Sequence, residues 1–318
     1  MAALAFWMLA GCGGRVENAD APLVVGARGS GPGRFSFPRG VDVAPDGRVA
    51  VADRTGRIQI FSAAGEPITQ WYMPKHDNGT PTRLVFDATD PATTTLLVAD
   101  THNYRIIRYG LDGRIVQQFG KHGSKPGQML FPTDIALDTS GTMYIAEYGA
   151  EYEDRIMVYS RSGRFIRQFG GYGEEPGKLQ RPMGVVFVPP DRLIVADSCN
   201  DRLQVFRTDG TLLAVWGKVG KALGEFNYPY DLALDKEGRV YVAEWGNNRI
   251  QVLDPSGRPL GVFGGPGANP GEFGQPWGVA LTASGDRIWV ADTLNHRLQR
   301  FDVEATIKPL VAMKQGVK

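Results

Sequence analysis

The sequence contains little of what defines a disulfide-rich or strongly charged protein. Only two of its 318 residues are cysteines, so the chain has no disulfide framework. Its 35 lysines and arginines nearly balance 34 aspartates and glutamates, which gives a net charge of +1. Nucleic-acid-binding domains are usually strongly basic, so we expect no nucleic-acid partner. Four scattered histidines disfavour a shared metal site: His76, His102, His122 and His296.

Long apolar runs are also missing, and the run near the N-terminus, Ala2–Ala10, is too short to span a membrane. It leads into Leu9-Ala10-Gly11-Cys12, which resembles the end of a bacterial lipoprotein signal with Cys12 as the acylated residue. No Lys or Arg precedes the run, so an ordinary secretory signal or a merely apolar N-terminus is the alternative. The resemblance implies a signal at residues 1–11, a short tether at 12–21, and a lipid-anchored protein of the cell envelope that faces out of the cytoplasm.

What the sequence does contain is one pattern repeated six times. In each copy a Pro opens an apolar strand, a turn follows, and a hydrophobic run ends in Ala-Asp or Ala-Glu shortly before Arg-Ile or Arg-Leu. We call the acids of this pattern the anchor acids, and they lie 47, 47, 50, 47 and 48 residues apart: Asp53, Asp100, Glu147, Asp197, Glu244 and Asp292. This period predicts one radially repeated β domain over residues 22–305, followed by a tail at 306–318.

The fifth repeat shows how each copy can form one unit. Its alternating apolar segments predict strand A at residues 229–234, B at 239–243, C at 249–253 and D at 260–263. Four antiparallel strands joined by tight turns form one blade of a β-propeller, so we predict an all-β fold with six blades. The C–D turns carry a repeated Gly and four B–C turns carry an Asn, which we expect to adopt left-handed backbone conformations: Asn103, Asn200, Asn247 and Asn295.

The linkers between blades are equally regular. Five of them run 12 residues from a Gly to the Pro of the next strand A, and each includes an apolar residue that we call its plug: Phe35, Met129, Leu179, Phe226 and Phe273. The first linker has no blade before it, so Leu23-Val24-Val25 reads as an outer strand that closes the ring against the sixth blade. Residues 307–311 are the alternative closing strand.

Four short motifs resemble the NHL-repeat family of six-bladed propellers: Pro38-Arg39-Gly40-Val41, Val98-Ala99-Asp100, Asn247-Asn248-Arg249-Ile250-Gln251-Val252 and Phe119-Gly120. The likeness covers residues 22–302 and implies the fold, whereas it says little about function. The second blade departs from the pattern at residues 71–80, and the third has an insertion within 148–154. Such departures on a repeated scaffold often mark the working face.

The acid–Arg pair of each repeat is more typical of a structural device than of a binding site, because a binding site does not need six copies. Among proteins that resemble this family, peptidylglycine amidating lyase holds zinc on histidines at strand-A heads. The matching positions contain no His, so that zinc site is not expected: Arg39, Thr82, Thr133, Met183, Tyr230 and Trp277.

Lactonase-type propellers, by resemblance, suggest a different metal site near the axis. Asp42, Asp134 and Asp231 belong to strands A and can approach the channel. They are the candidate ligands of an axial calcium or other divalent ion, and we predict no other cofactor. The alternative is a channel that holds a structural ion or only water.

The residues that differ between repeats point to a partner-binding face. Strand-A heads and B–C turns share one side of the propeller, which we call the strand-A/B–C face. Its variable residues mix Arg, Tyr and Trp, as recognition surfaces do: Arg39, Arg83, Asp134, Tyr148, Tyr152, Tyr230, Trp245 and Trp277. The alternative is that the aromatic rings only pack between blades.

We therefore predict a monomeric, membrane-anchored scaffold that binds an envelope protein or small ligand through this face. The alternative function is a metal-assisted hydrolase or lyase with its site at the channel mouth. From Cys12 to Leu23 the chain reaches about 35–40 Å when fully extended, which would hold the propeller close to the membrane.

The lipid anchor yields the first testable prediction. Replacing Cys12→Ser removes the thiol that would be acylated, so the variant should move from the membrane fraction to the soluble fraction. Fractionation followed by immunoblotting measures this, with Cys199→Ser as the matched control that should stay with the membrane. A Cys12→Ser protein that remains membrane-bound would contradict the anchor.

Overall fold

The computed structural model describes residues 21–78, 80–90, 92–149 and 153–306. Within them, 24 strands form six four-stranded antiparallel sheets, each of which is one blade. Strands A of neighbouring blades contact each other, so they surround the central channel while strands D lie at the rim. The predicted all-β six-bladed propeller is confirmed. No helix in the described part of the chain is long and apolar enough to cross a membrane.

The first three blades follow the order A, B, C, D along the chain. Blade 1 contains β2 (Pro38–Val43), β3 (Val49–Asp53), β4 (Arg57–Phe61) and β5 (Pro67–Tyr72). Blade 2 contains β6 (Arg83–Asp87), β7 (Thr95–Asp100), β8 (Arg105–Tyr109) and β9 (Ile115–Phe119). Blade 3 contains β10 (Phe131–Leu137), β11 (Met143–Tyr148), β12 (Arg155–Tyr159) and β13 (Phe165–Gly170).

Blades 4 and 5 repeat this order, and blade 6 borrows its outer strand. Blade 4 contains β14 (Pro182–Val188), β15 (Arg192–Asp197), β16 (Arg202–Arg207) and β17 (Leu212–Trp216). Blade 5 contains β18 (Pro229–Leu234), β19 (Val240–Glu244), β20 (Arg249–Leu253) and β21 (Pro259–Gly264). Blade 6 contains β22 (Pro276–Leu281), β23 (Arg287–Asp292), β24 (Arg297–Asp302) and, from the start of the chain, β1 (Leu23–Val25).

The ring closes through the N-terminal strand, as predicted. Strand β1 pairs antiparallel with β24, and the register places Leu23 opposite Arg300 and Val25 opposite Leu298. This pairing joins both ends of the propeller in one sheet and removes an open edge. The alternative closing strand, residues 307–311, lies outside the described residues.

The core consists of six apolar clusters, one at each interface between neighbouring blades. All five predicted plugs are buried in these clusters: Phe35, Met129, Leu179, Phe226 and Phe273. The Phe226 ring lies against Gly217 so closely that a Cβ at residue 217 would overlap it, which explains why the linker begins with Gly. Blade 2 lacks the standard linker, and buried Met73 packs into its interface with blade 1 instead.

Each anchor acid is the centre of a clamp that holds the linker against its blade. Buried Asp197 accepts hydrogen bonds from Asn200 (2.9 Å), Arg202 (2.8 Å) and Gln204 (2.9 Å). The Arg202 guanidinium also donates to three linker carbonyls, those of Glu174, Glu175 and Lys178. The structural interpretation of the acid–Arg pair is therefore confirmed. Breaking one such buried pair costs about 3–5 kcal/mol, because it leaves an uncompensated charge.

The expectation that the B–C turn Asn residues adopt left-handed conformations is wrong. The residue with positive φ is the next one in each turn: Tyr104, Asp201, Asn248 and His296. The Asn side chains instead donate to the anchor acids, as Asn247 does to Glu244 and Asn103 does to Asp100 at 2.9 Å. Their repetition therefore reflects the clamp, whereas the C–D turn glycines have the expected positive φ.

Ring closure predicts a large effect of removing β1. Deleting residues 22–27 exposes the edge of β24 and part of the core beneath Val25, so we expect a loss of more than about 4 kcal/mol in unfolding free energy. Urea denaturation measures this loss. The control replaces Leu23 and Val24 by Thr; both side chains are 37% exposed, and this variant keeps the backbone ladder. Equal stability of the deletion and the control would show that β1 does not close the ring.

Candidate functional site

The channel is lined by the inner edges of six strands A, whose backbone N–H groups have no neighbouring strand to bind. Three carboxylates from alternate blades satisfy some of them. Each accepts a hydrogen bond of 2.7 Å from a backbone N–H of the next blade: Asp42 from Phe86, Asp134 from Val185, and Asp231 from Val279. An unsatisfied buried N–H is costly, so these acids stabilise the ring itself.

Arg83 provides the positive charge of this channel cluster. Its Nη1 donates to an Asp231 oxygen and to the Val41 carbonyl (2.9 Å), and its Nε lies 3.2 Å from Asp134 Oδ1. Arg83 and Asp134, which the sequence placed on the strand-A/B–C face, thus both point into the channel, where Asp134 is buried and Arg83 is 12% exposed. In strand A of blade 4, Gly184 leaves room for the neighbouring blade, because a Cβ at this position would lie 2.8 Å from the Tyr230 carbonyl oxygen.

Burial changes the ionisation of the channel acids. It raises the pKa of Asp42 to about 6 and that of Asp231 to about 7, and it also raises the pKa of Asp134. The Arg83 charge acts in the opposite direction on all three. Near neutral pH the cluster is therefore only partly ionised, which limits the repulsion between its carboxylates.

The predicted axial ion meets an unfavourable donor set. No group of three or more His, Cys, Asp or Glu in the described residues is arranged to hold a metal. Arg83 lies between Asp134 and Asp231, where a divalent cation would need their oxygens. The residues present therefore do not fit such an ion well, and no reaction step is assigned to one.

The two B–C turn histidines have structural partners. His296 Nδ1 accepts the Phe37 N–H at 3.1 Å across the ring closure, and His102 Nδ1 accepts the Thr80 N–H at 3.3 Å. Burial lowers the pKa of both, which favours the neutral imidazole that such an acceptor requires.

At its other end the channel widens into a cavity of about 520 Å³ on the side of the A–B turns. Strand-A side chains such as Val85, Phe187 and Leu234 line its wall, and Asp42 and Arg83 also line it. Apart from Asp42, Arg83, Thr89 and Thr139, the side chains that line the cavity are apolar, so the two mouths of the channel differ in chemistry.

The strand-A/B–C face carries an aromatic cluster over blades 5 and 6. Tyr230 meets Trp277 edge-on at 4.7 Å between ring centroids and stacks on Trp245 at 5.5 Å. Tyr228, which is 39% exposed, lies edge-on to both Tyr230 and Trp245. The structure thus brings together three of the predicted residues, and Tyr228 extends the cluster to the surface.

Arg39 lies beside this cluster, where blade 1 meets blade 6. Strand β2 has a bulge between Pro38 and Gly40, which turns the Arg39 side chain away from the ladder. Its guanidinium lies 4.4 Å from the Trp277 ring centroid, and its Nη1 donates to Thr80 Oγ1 at 2.7 Å. Burial, followed by the charges of Arg54 and Arg181, lowers the pKa of Arg39 to about 10, so it remains a cation at neutral pH.

Tyr148 and Arg181 occupy the opposite side of the mouth, on blades 3 and 4. Tyr148 stacks on Phe131 at 5.0 Å, and the Arg181 guanidinium lies 5.1 Å from the Tyr148 ring centroid. Burial raises the pKa of Tyr148, so its hydroxyl is a donor at neutral pH. Tyr152, the remaining predicted residue, lies outside the described residues.

The sequence reasoning missed Arg181 and Tyr228, which directly precede a strand-A Pro. Four residues at this position have positive φ: Phe37, Arg181, Tyr228 and Gln275. Their N–H groups bind B–C turn side chains, as Arg181 binds Asp154 and Tyr228 binds Asp201, both at 2.7 Å. No glycine or asparagine marks the position, so only its repetition before Pro could have indicated it.

The channel acids yield a prediction about pH. Because the pKa of Asp231 is higher in the folded protein than in the unfolded chain, its stabilising contribution is present below about pH 4 and is lost as pH rises through about 7. The Asp231→Asn variant lacks this loss. Its unfolding free energy relative to wild type should therefore increase between pH 5 and 8, by up to ~1.4 kcal/mol per pH unit. Urea titrations at several pH values measure the difference, and a constant difference would contradict the burial effect.

Comparisons with known proteins agree with this architecture. The sequence model of the NHL repeat matches residues 226–253 and 273–301, which lie in blades 5 and 6. No curated protein sequence matches the chain. The fold is similar to a streptogramin B lyase structure (TM-score 0.60, 14% identity, 85% of this chain and 94% of that one). It is also similar to a Bacteroides thetaiotaomicron structural genomics protein of unknown function (TM-score 0.66, 14% identity, covering 88% of this chain and 75% of that one). The chain is a six-bladed β-propeller that contains NHL repeats.

Proposed function

We propose that this propeller is a binding scaffold of the bacterial cell envelope, attached to a membrane through Cys12, that holds a protein or small ligand on its strand-A/B–C face. The observation that carries the proposal is the aromatic and arginine group around the channel mouth. Tyr230, Trp245 and Trp277 form one contiguous cluster beside Arg39. Trp, Tyr and Arg are the residue types that contribute most to binding interfaces.

The repeated residues and the variable residues have different roles, and this difference supports the proposal. Residues that recur in the blades are used by the fold, because the anchor acids, their arginines and the strand-C glutamines bind the linkers. The mouth residues differ from blade to blade and take no part in those clamps. Trp245 and Trp277 keep exposed surface, and Tyr228 and Arg181 are exposed, so a partner can reach all four.

The alternative function, a metal-assisted hydrolase or lyase, has less support. The likeness to streptogramin B lyase is at 14% identity and concerns the fold alone. The described residues offer no metal-binding group, and the channel acids are occupied by Arg83 and backbone N–H groups.

Site-specific crosslinking in intact envelopes tests the proposal. A photoreactive residue replaces Tyr228 on the strand-A/B–C face, and in a matched variant it replaces Lys236 in an A–B turn on the opposite face. We expect the same discrete crosslinked species to form in abundance from position 228 and to be nearly absent from position 236. Adding Trp245→Ala should reduce its yield about 10-fold or more, as loss of a central interface aromatic does.

Two outcomes would count against the scaffold. Equal crosslinking from both positions would show that the face is not used selectively. A divalent metal that binds the purified chain stoichiometrically and supports hydrolysis would favour the enzymatic alternative.

A further inference from the structure

The mouth of the channel on the strand-A/B–C face contains Arg39, a cation that has no anionic partner among the residues that the structure describes. The Arg39 side chain is half-buried, and within the described residues no carboxylate lies within ion-pair distance of it. Its Nε is buried and finds no hydrogen-bond partner in the described part of the chain. A half-buried guanidinium with no ion-pair partner and an unsatisfied Nε–H is costly, and a bound anion would relieve that cost.

A second guanidinium faces the same space from the other side. Arg181 is exposed above the Tyr148 ring. Strands A of neighbouring blades contact each other around the channel, so residues at their heads and in the B–C turns meet at one mouth. Arg39, Tyr148, Arg181 and Tyr230 all lie at this mouth, where burial raises the pKa of both tyrosines and the two arginine charges act to lower it. The nearby Asp154 binds backbone instead of the Arg181 guanidinium, because its two oxygens accept hydrogen bonds from the backbone N–H groups of Gly149 (2.9 Å) and Arg181 (2.7 Å).

The wall of this space is aromatic. Trp277 lies under the Arg39 guanidinium, and Tyr230 meets it edge-on at 4.7 Å. Flat faces of Trp and Tyr accept aromatic rings by stacking or edge contacts. Bulges at the heads of strands β2 and β18 place Arg39 and Tyr230 outside their ladders, so their positions are fixed by rigid inner strands.

We infer that the channel mouth, formed by Arg39, Tyr148, Arg181, Tyr230 and Trp277, binds an anionic oxygen group that adjoins an aromatic ring. The anion, a carboxylate or phosphate, lies between Arg39 and Arg181 and accepts hydrogen bonds from their N–H groups and from the tyrosine hydroxyls. The adjoining ring packs on Trp277. This inference rests on the proposed use of the strand-A/B–C face and names the ligand chemistry that the face selects.

Calorimetric titration of the full chain with matched probes tests the inference. Indole-3-acetate carries the carboxylate and the ring, indole-3-acetamide has nearly the same shape without the charge, and acetate has the charge without the ring. We expect indole-3-acetate to bind with a Kd of about 1 mM or lower, roughly 10-fold more tightly than the amide. Phenyl phosphate distinguishes a phosphate ligand from a carboxylate ligand by its relative affinity.

Variants then locate the binding. Arg181→Gln changes an exposed side chain, so it should keep the melting temperature while weakening indole-3-acetate about 10-fold and leaving the amide unchanged. Arg39→Gln should also weaken the binding of indole-3-acetate about 10-fold and leave the binding of the amide unchanged. Trp277→Leu should weaken the binding of both indole probes. Arg164→Gln, in an exposed C–D turn on the opposite face, is the matched control and should change neither.

Several results would overturn the inference. The first is that indole-3-acetate fails to bind, or that it binds no more tightly than indole-3-acetamide. The second is that the Arg181→Gln variant keeps the wild-type affinity for indole-3-acetate. The third is that a short oligouridylate, which tests for a nucleic-acid ligand, binds more tightly than both indole-3-acetate and phenyl phosphate. If one of these results is found while crosslinking from position 228 still depends on Trp245, the proposed binding function holds and only the inferred ligand chemistry is wrong. Anion binding without any crosslinked envelope species would instead remove the protein-partner form of the proposed function.

Discussion

The ion pair between each anchor acid and its arginine is the interaction on which this propeller depends. The linker between blades is rich in glycine and forms almost no regular structure, so the fold needs something that holds it in place. The guanidinium provides this, because one side of it binds the acid and the other binds linker carbonyls, as in Asp292–Arg297. With the linker fixed, its plug residue reaches the interface between blades and completes the apolar core. A polar contact thus determines where hydrophobic burial takes place.

This arrangement separates the structural residues from those available for binding. The acid and arginine of each repeat, and the asparagine and glutamine of the repeats that have them, make hydrogen bonds inside the clamp. The channel acids are also committed, since they bind Arg83 and the inner-edge N–H groups. What is left are positions where the six blades differ, and those positions meet at one mouth of the channel. A repeated fold can therefore change its ligand by altering strand-A heads without disturbing its own assembly.

The sequence predicted the propeller, its strands and its ring closure because a period near 47 residues and a fixed linker pattern are strong, redundant signals. It could not predict which side chains at the start of a strand A point to the strand-A/B–C face and which point into the channel. Arg39 directly follows Pro38 and a bulge turns it to the face, whereas Arg83 lies two residues after Pro81 and points into the channel. Nor could it reveal Arg181, because a positive φ at a bulky residue before proline contradicts local preference and is imposed by an acceptor from the preceding blade.

The closing strand also has a consequence for how the chain reaches its native state. Of the 24 described strands, β1 is the first to be synthesised and its partner β24 is the last. The first strand therefore stays without its sheet until the sixth blade has been made, while its apolar residues remain available to other partners. Contacts between such distant segments form slowly. Completion of the ring is thus a late event, and a chain interrupted before β24 leaves β1 unpaired and the edge of β23 open.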